Sequence, residues 1–523
     1  MKSLFLFITI LCSMFFCSEL FTDTYILPKW LATIGGGIII LFCTIIEFFV
    51  YRRISLPILH STFFTCLIIS GCIEAILGIC TIFQEKIDVT IGTMDNPAGF
   101  ASCLCLILPY AFENNNQTIH KKIYSLFFCL LAIIAIIVSK SRSGYVSLFI
   151  IGLIWAYYTF RQRWRNTIKS TSRNYIFAFI VCFILPFLVW LFYTKKASAL
   201  GRLNIYTIAF NMILDKPLLG HGLNAISKKY MLYQAHYFQE NPDSMFSIYA
   251  DNVKHIFNHF LELGVMFGLP ALFLSVLICV YLARLIPKTN GLHKRAALCS
   301  LIGLIPFCLF SYPFYYPFTW LMLFINIYIL AGNKLLVLKG KTAALLAGIS
   351  LFFLVSLSVK LSLRVKAELL WKNISDYAST HSNPQILNNY SSLLNTLSDN
   401  PYFLYNYIAV ALMHKDYYKA EEIGRKCACF WADYDLEVLR GITARELKNY
   451  KQSLKHLELA HNMCPNRLEP LHELALTYEQ AGRHRDAISL CRLVLETTPK
   501  IYNSESARIK EAARNTLKGY GYD

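Results

Sequence analysis

Charge is scarce in this chain of 523 residues: Asp, Glu, Lys and Arg make up 16%, against 56% hydrophobic and 15% aromatic residues. That balance excludes the soluble globular classes. Acidic residues are the scarcer sign, 32 against 50 Lys and Arg, for a net charge of +18. Such an excess raises nucleic acid or an anionic membrane surface as a partner, and the placement of the basic residues decides between them. A disulfide framework is also lacking. The cysteines, 17 in all, lie mostly inside apolar runs (Cys12, Cys43, Cys66, Cys103, Cys129, Cys182, Cys279), where a thiol behaves as a small hydrophobe. Cys427-Ala428-Cys429, in the polar C-terminal part, is too closely spaced for an ordinary zinc knuckle. What remains is a polytopic membrane protein.

Apolar runs able to cross about 30 Å of hydrocarbon occur near 3–20, 31–51, 57–82, 97–113, 123–138, 144–160, 174–193, 256–283, 296–312, 315–332 and 342–362. The expectation is an all-α bundle of roughly eleven spans, the first being a retained helix rather than a cleaved signal. Lys2, Arg52, Arg53, Lys121, Lys122, the cluster from Arg161 to Arg173, Arg284 to Arg295 and Lys334 to Lys341 fall in alternate loops, which the positive-inside rule makes cytoplasmic. The short loops of the other set carry only Lys29, Lys86, Lys140 and Arg142. The basic excess is therefore a topology signal, and no nucleic-acid partner is expected. An odd number of spans places the 194–255 loop and everything after 362 outside the cytoplasm.

After 362 the chain becomes charged and repetitive. Leu471, Leu474, Ala475, Tyr478, Ala487, Cys491, Val494 and Pro499 follow the spacing of a tetratricopeptide repeat of about 34 residues. Gly441, Ala444, Leu457, Ala460 and Pro465 occupy equivalent places one register earlier, and a weaker unit with Tyr407, Ala411 and Ala420 starts near Pro401. Stacked helix pairs of this kind form an α-solenoid whose usual task is to bind a protein partner. The sequence thus divides into a membrane domain at 1–362, linker or capping helices at 363–399 and tetratricopeptide-like repeats at 400–523.

The residues able to carry chemistry sit around the long polar segment. Arg142, in Ser139-Lys140-Ser141-Arg142-Ser143-Gly144, reads either as an anchor reaching the headgroups or as part of a phosphate cradle of guanidinium fork and helix-start N–H groups. Arg202 offers a second fork for the same anion or is a solvated loop residue. His255 and His259 are spaced by one helical turn, with Glu262 three residues on. A metal is not expected from two His and a carboxylate without an HExxH-type pattern. A neutral His could take a proton from a hydroxyl, with Glu262 or Asp251 orienting the ring; the plainer reading is a polar helix cap. Asn258 needs a partner if buried. Asn96, before Pro97, is a helix start first and a cavity lining second. Tyr206, Tyr230, Tyr233, Tyr237 and Phe238 read equally as an interfacial belt or a sugar-stacking platform.

Together these segments resemble the O-antigen ligase superfamily, which includes O-antigen ligases, O-antigen polymerases and bacterial protein O-oligosaccharyltransferases. Gly92 to Pro97 is similar to its Gly-x-x-x-Asn-Pro/Arg span start, and Ser139 to Gly144 to its Ser-x-Ser-Arg-x-Gly turn. Arg202 with Pro217-Leu218-Leu219-Gly220-His221-Gly222 resembles its Arg followed by Pro-Leu-x-Gly-x-Gly. Asn258 to Pro270 resembles its His-Asn-x-Tyr-Leu helix start, except that Phe257 stands where the family has His. The resemblance covers roughly 90–285.

It implies a metal- and cofactor-free glycosyltransferase of the bacterial inner membrane, working at the outer, periplasmic face. The donor would be a glycan on a lipid diphosphate such as undecaprenyl diphosphate, bound by Arg142, Arg202, Asn96 and Asn258. His259 or His255, with Glu262, would act on the acceptor hydroxyl of a lipid, a growing glycan or a protein, as in lipopolysaccharide ligation, polysaccharide biosynthesis or protein O-glycosylation. A polysaccharide transporter would instead call for charge within several spans and an inverted repeat. Glu47 and Glu74 lie within spans, but no such repeat is evident. A non-catalytic envelope scaffold is the other alternative.

Overall fold

A computed structural model of the chain describes residues 2–57, 59–85, 90–112, 119–167, 196–332, 338–381, 383 and 385–522. Among them regular structure is helical, apart from a ribbon in which Arg53–Ile54 (β1) runs antiparallel to Leu338–Lys339 (β2). Two compact units result: Met1–Pro186 with Phe257–His259 and Leu274–Lys372, and Phe187–Ile256 with Phe260–Phe273 and Asn373–Asp523.

In chain order the helices begin with α1 (Lys2–Phe15), α2 (Ile26–Tyr51), α3 (Ser61–Glu85), α4 (Pro97–Phe112), α5 (Ile119–Val138) and α6 (Arg142–Thr167). Then come α7 (Lys196–Asp215), α8 (Met231–Glu240), α9 (His259–Phe267), α10 (Leu269–Leu285), α11 (Leu292–Phe310), α12 (Pro317–Ala331) and α13 (Gly340–Thr380). Among the described residues, five helices are long and apolar enough to cross a membrane: Ile26–Tyr51, Ser61–Thr81, Leu269–Lys288, Leu292–Phe310 and Gly340–Thr380. Lys2–Phe15, Pro97–Phe112, Lys122–Val138 and Pro317–Ala331 are apolar but shorter. The chain is a multi-pass membrane protein. Pro97 and Pro317 open their helices, the second of them two residues after the expected start at 315. The span expected at 174–193 lies outside the described residues.

In the first unit α4 is buried all round from Gly99 to Ala111, as an apolar helix without a polar face must be. It packs against α3, α5, α6 and α11. Several polar groups inside this bundle pair with one another, since hydrocarbon offers them nothing. Ser300 Oγ donates to the Leu106 carbonyl at 2.8 Å, Asn326 Nδ2 donates to Ser300 Oγ at 2.9 Å, and the Tyr110 hydroxyl donates to Asn326. The two span carboxylates are likewise engaged. Glu74 accepts from the Thr93 backbone N–H at 3.0 Å and from its hydroxyl at 2.9 Å, while Glu47 pairs with Lys2 and accepts from Ser55 N at 3.1 Å. Both fasten loops to helices.

Two expected boundaries differ. The run at 256–283 breaks into α9 and α10 at Gly268, whose φ of 80° ends the first helix before Pro270 starts the next. The run at 342–362 continues unbroken through the expected linker as far as Thr380.

The second unit holds α7, α8 and the C-terminal helices α14 (Gln385–Leu397), α15 (Pro401–Met413), α16 (Tyr417–Ala428), α17 (Tyr434–Glu446), α18 (Tyr450–Met463), α19 (Glu469–Gln480), α20 (His484–Glu496) and α21 (Ser504–Gly519). Each of these C-terminal helices packs on the next. Asn400, Asp416, Asp433, Asn449 and Asn503 cap the starts of α15, α16, α17, α18 and α21 by accepting from first-turn N–H groups. Leu457, Leu471, Leu474, Ala475, Cys491 and Val494, picked out by their spacing, share one core with Ile509 and Leu517. A Cβ on Gly441 would come within 2.5 Å of the Leu457 side chain, so this glycine sets how closely α17 and α18 approach.

Candidate functional site

In the first unit the site is built around the turn between α11 and α12. Asn96 caps α4, its Oδ1 accepting from Gly99 N at 2.8 Å, while its Nδ2 donates to the Tyr312 hydroxyl at 2.8 Å and to Tyr316. The Tyr316 hydroxyl in turn donates to Asp95. Burial pushes the Asp95 carboxyl above the usual range, and the Tyr316 bond opposes it. The same turn receives the segment before α9: the Phe257 ring meets Tyr312 edge-on at 5.4 Å and the His259 ring lies 4.7 Å from Phe314. Asn96 and the Phe257–His259 segment, far apart in sequence, are thereby brought to one aromatic cluster. Tyr312, Phe314 and Tyr316 did not stand out in the sequence reading. The signal was the run Tyr312-Pro313-Phe314-Tyr315-Tyr316-Pro317 between two apolar helices.

The two histidines do not share a helical face, contrary to the expectation from their spacing. Phe257 adopts a left-handed φ of 57° and α9 starts only at His259, which leaves His255 in irregular chain before the helix. Asn258 immediately precedes α9, and Glu262 lies in its first turn. Burial holds His255 below the ordinary imidazole range, reinforced by Lys254 and opposed by Glu262. Asp251, the other candidate for orienting the ring, bonds instead to Arg467 at 3.0 Å and Lys500 at 2.7 Å.

Arg142 is the first residue of α6. Ser141 caps that helix, its hydroxyl accepting from Gly144 N at 3.2 Å, and Lys140 makes the tight entry with a φ of 52°. Ser139, Ser141 and Ser143 are buried beside it. Arg202 lies on α7 and is half-buried, so it is a helical residue and not part of an open loop. Among the described residues no group of three or more His, Cys, Asp and Glu is placed to hold a metal ion.

Comparison with known proteins agrees with the resemblance drawn from the sequence. Over residues 127–276 the chain matches the O-antigen ligase family. Arg142, Arg202, His255, His259 and Glu262 all fall within the matched stretch, whereas Asn96 and Tyr312 lie outside it. No curated protein matches the sequence. The crystal structure of yeast Tom70 aligns at 11% identity over 93% of this chain and 96% of that one, with a TM-score of 0.25, too low to bear on the fold.

The Pro217–Gly222 element has a structural task here. His221 N donates to Val265 O at 2.8 Å, Gly222 N to Met266 O at 2.9 Å, and Leu269 N to Pro217 O at 2.7 Å, so Pro217–Gly222 clamps the junction of α9 and α10 backbone to backbone. His221 serves the same end, its buried ring 2.8 Å from the Met212 carbonyl through Nε2. Among the aromatic residues of the long segment, Tyr230 and Phe238 are buried, while the half-buried Tyr233 donates to Asp215 at 2.6 Å and the half-buried Tyr237 is 3.3 Å from Ser244 Oγ.

Proposed function

We propose that the protein is a membrane glycan transferase that moves a glycan from a lipid-diphosphate carrier to an acceptor hydroxyl at the outer face of the bacterial inner membrane. The observation that carries this reading is the O-antigen ligase family match at 127–276, within which Arg142 opens a serine-capped helix and a half-buried histidine precedes another. Arg142 and Arg202 hold the diphosphate and stabilise the charge that develops as it leaves. His259 or His255 takes the acceptor proton or orients the hydroxyl, with Glu262 acting on the ring. Burial supports His255 in that work, because a neutral imidazole is the form able to accept a proton. Asn96 and Asn258 line the donor side. A charge-compensated diphosphate is a good leaving group, so two guanidinium groups and a modest base suffice without a metal.

The C-terminal helices are read as tetratricopeptide-like repeats that lie outside the cytoplasm and engage the acceptor or a protein partner. Arg142→Ala and Arg202→Ala are each expected to abolish glycan transfer in cells while the protein still inserts; normal transfer by both variants would sink the reading. Deleting the gene and comparing lipopolysaccharide, capsule and glycoproteins side by side identifies the acceptor, since one class alone should lose its glycan.

A further inference from the structure

The strand of chain leading to His255 has little structure of its own. Between the end of α8 and the start of α9 it makes only one short turn of 3-10 helix, Ser247–Tyr249. Such a segment is where local opening is expected, unless its backbone groups find partners elsewhere. They do so within the second unit. Asn466, buried between α18 and α19, donates through Nδ2 to Ala250 O at 2.7 Å and Ser247 O at 2.9 Å. Gln234 on α8 donates to Asp251 O at 3.0 Å and Met463 O at 2.7 Å. Asn252 Nδ2 donates to Asp433 and Asp435, each at 2.9 Å. Asp251 reaches Arg467 and Lys500, and Lys254 sits 4.8 Å over the Tyr402 ring. These contacts come from separate helix junctions of the C-terminal region, and the next residue along the chain is His255.

We propose that the C-terminal helices are a latch on this strand, with Asn466 and Asp251 as positioning residues that fix His255 for its work on the acceptor hydroxyl. The inference rests on the proposed function for what His255 does, and on the contacts above for how it is held. It gives the repeats a role inside the enzyme, in addition to any partner. An acidic group competing for Arg467 and Lys500 would loosen the strand.

The latch can be tested on the full chain in membranes without knowing the substrate. Acylation of His255 by diethyl pyrocarbonate and amide exchange in D2O over 244–256 are followed by peptide mass spectrometry for the wild type, Asn466→Ala, Asp251→Asn and Asp251→Glu. The expected result is a rise of about fivefold or more in both rates for Asn466→Ala and Asp251→Asn, from the loss of several local hydrogen bonds. Asp251→Glu, which keeps the charge, should stay near the wild type, and exchange within α18–α21 should be unchanged in all. Glycan transfer in cells should fall in the two opened variants. Unchanged His255 acylation and strand exchange would overturn the latch, as would wild-type transfer by the opened variants when Arg142→Ala is inactive. If Arg142→Ala and Arg202→Ala both transfer normally, the proposed function fails, and the exchange measurements still decide whether the strand is latched.

Discussion

Leu269 N donates to Pro217 O at 2.7 Å, and the glycine between Phe267 and Leu269 makes that approach possible. A Cβ on Gly268 would fall 2.5 Å from the same Pro217 oxygen, and one on Gly220 would fall 2.5 Å from Met266 backbone. Both residues also have positive φ, 80° and 65°. Gly222, with φ 86°, has open space where a Cβ would go. Gly268→Ala and Gly220→Ala therefore combine strain with a backbone clash and should each cost about 2–3 kcal/mol. Gly222→Ala should cost only about 1 kcal/mol of backbone strain. Thermal unfolding of the detergent-solubilised protein checks the order; equal losses at all three positions would mean the clamp is loose.

Asn96 both caps α4 and donates to two phenols. Asn96→Asp keeps the cap but removes the donor and sets a second carboxylate beside Asp95, which burial already disfavours as an anion. The sign follows from linkage: a carboxyl whose folded pKa is raised contributes most below its unfolded value and loses that contribution as pH rises through the folded one. The deficit of Asn96→Asp relative to wild type should thus shrink as pH falls from 7 towards 4. A melting-temperature series across that range tests it, and a deficit independent of pH would show that the carboxylate pair is not the cause.

Much of this arrangement was legible in the sequence because it rests on local chemistry. The apolar runs marked α2, α3 and α11, and the repeat spacing of Leu471, Leu474, Ala487 and Cys491 marked residues that share a core. Pro97 after Asn96 announced a helix start. What could not be read was anything set by long-range fit. The four-residue spacing of His255 and His259 suggested one helical face, but the left-handed Phe257 breaks the helix between them. Tyr230 and Phe238 of the long segment are buried, because α7 and α8 fold it into helices with an interior of their own. The partner of Asn96 is Tyr312, more than two hundred residues away, a distance that no local pattern spans.

Within the C-terminal helices Glu437 is buried between two potential cations, its Oε2 2.6 Å from His456 Nδ1 and its Oε1 accepting from Arg440 Nη1 at 3.0 Å. Removing it leaves the Arg440 charge largely buried without its carboxylate. Glu437→Ala should cost about 3 kcal/mol. Glu422, paired with Lys419 at 2.8 Å on an exposed surface, should cost about 0.5 kcal/mol or less on the same change. Chemical denaturation followed through the C-terminal helices distinguishes them, and similar small losses would argue that water reaches Glu437.

The pH dependence of transfer links the latch to the chemistry. His255 has its folded pKa lowered by burial, so below an unfolded value of about 6.5 the unfolded chain binds the proton more readily and stability falls as pH drops toward the folded pKa. While folded, the ring stays neutral below the pH at which a free imidazole would charge. Asp251 is shifted the same way by its partners Lys500 and Arg467 against the cost of burial; its contribution is present above about 3.8 and is lost only as pH falls through its lowered folded value. Between these limits the latch is charged and His255 is still a base. The acid limb of the wild-type profile should therefore lie below the ordinary imidazole value of about 6.5. In Asp251→Asn the strand opens, water reaches the ring, and the acid limb should move up toward the ordinary imidazole value. A limb that stays in place while the rate falls uniformly would show that Asp251 holds the fold without tuning His255. A limb unaffected in His255→Ala would assign the proton to His259.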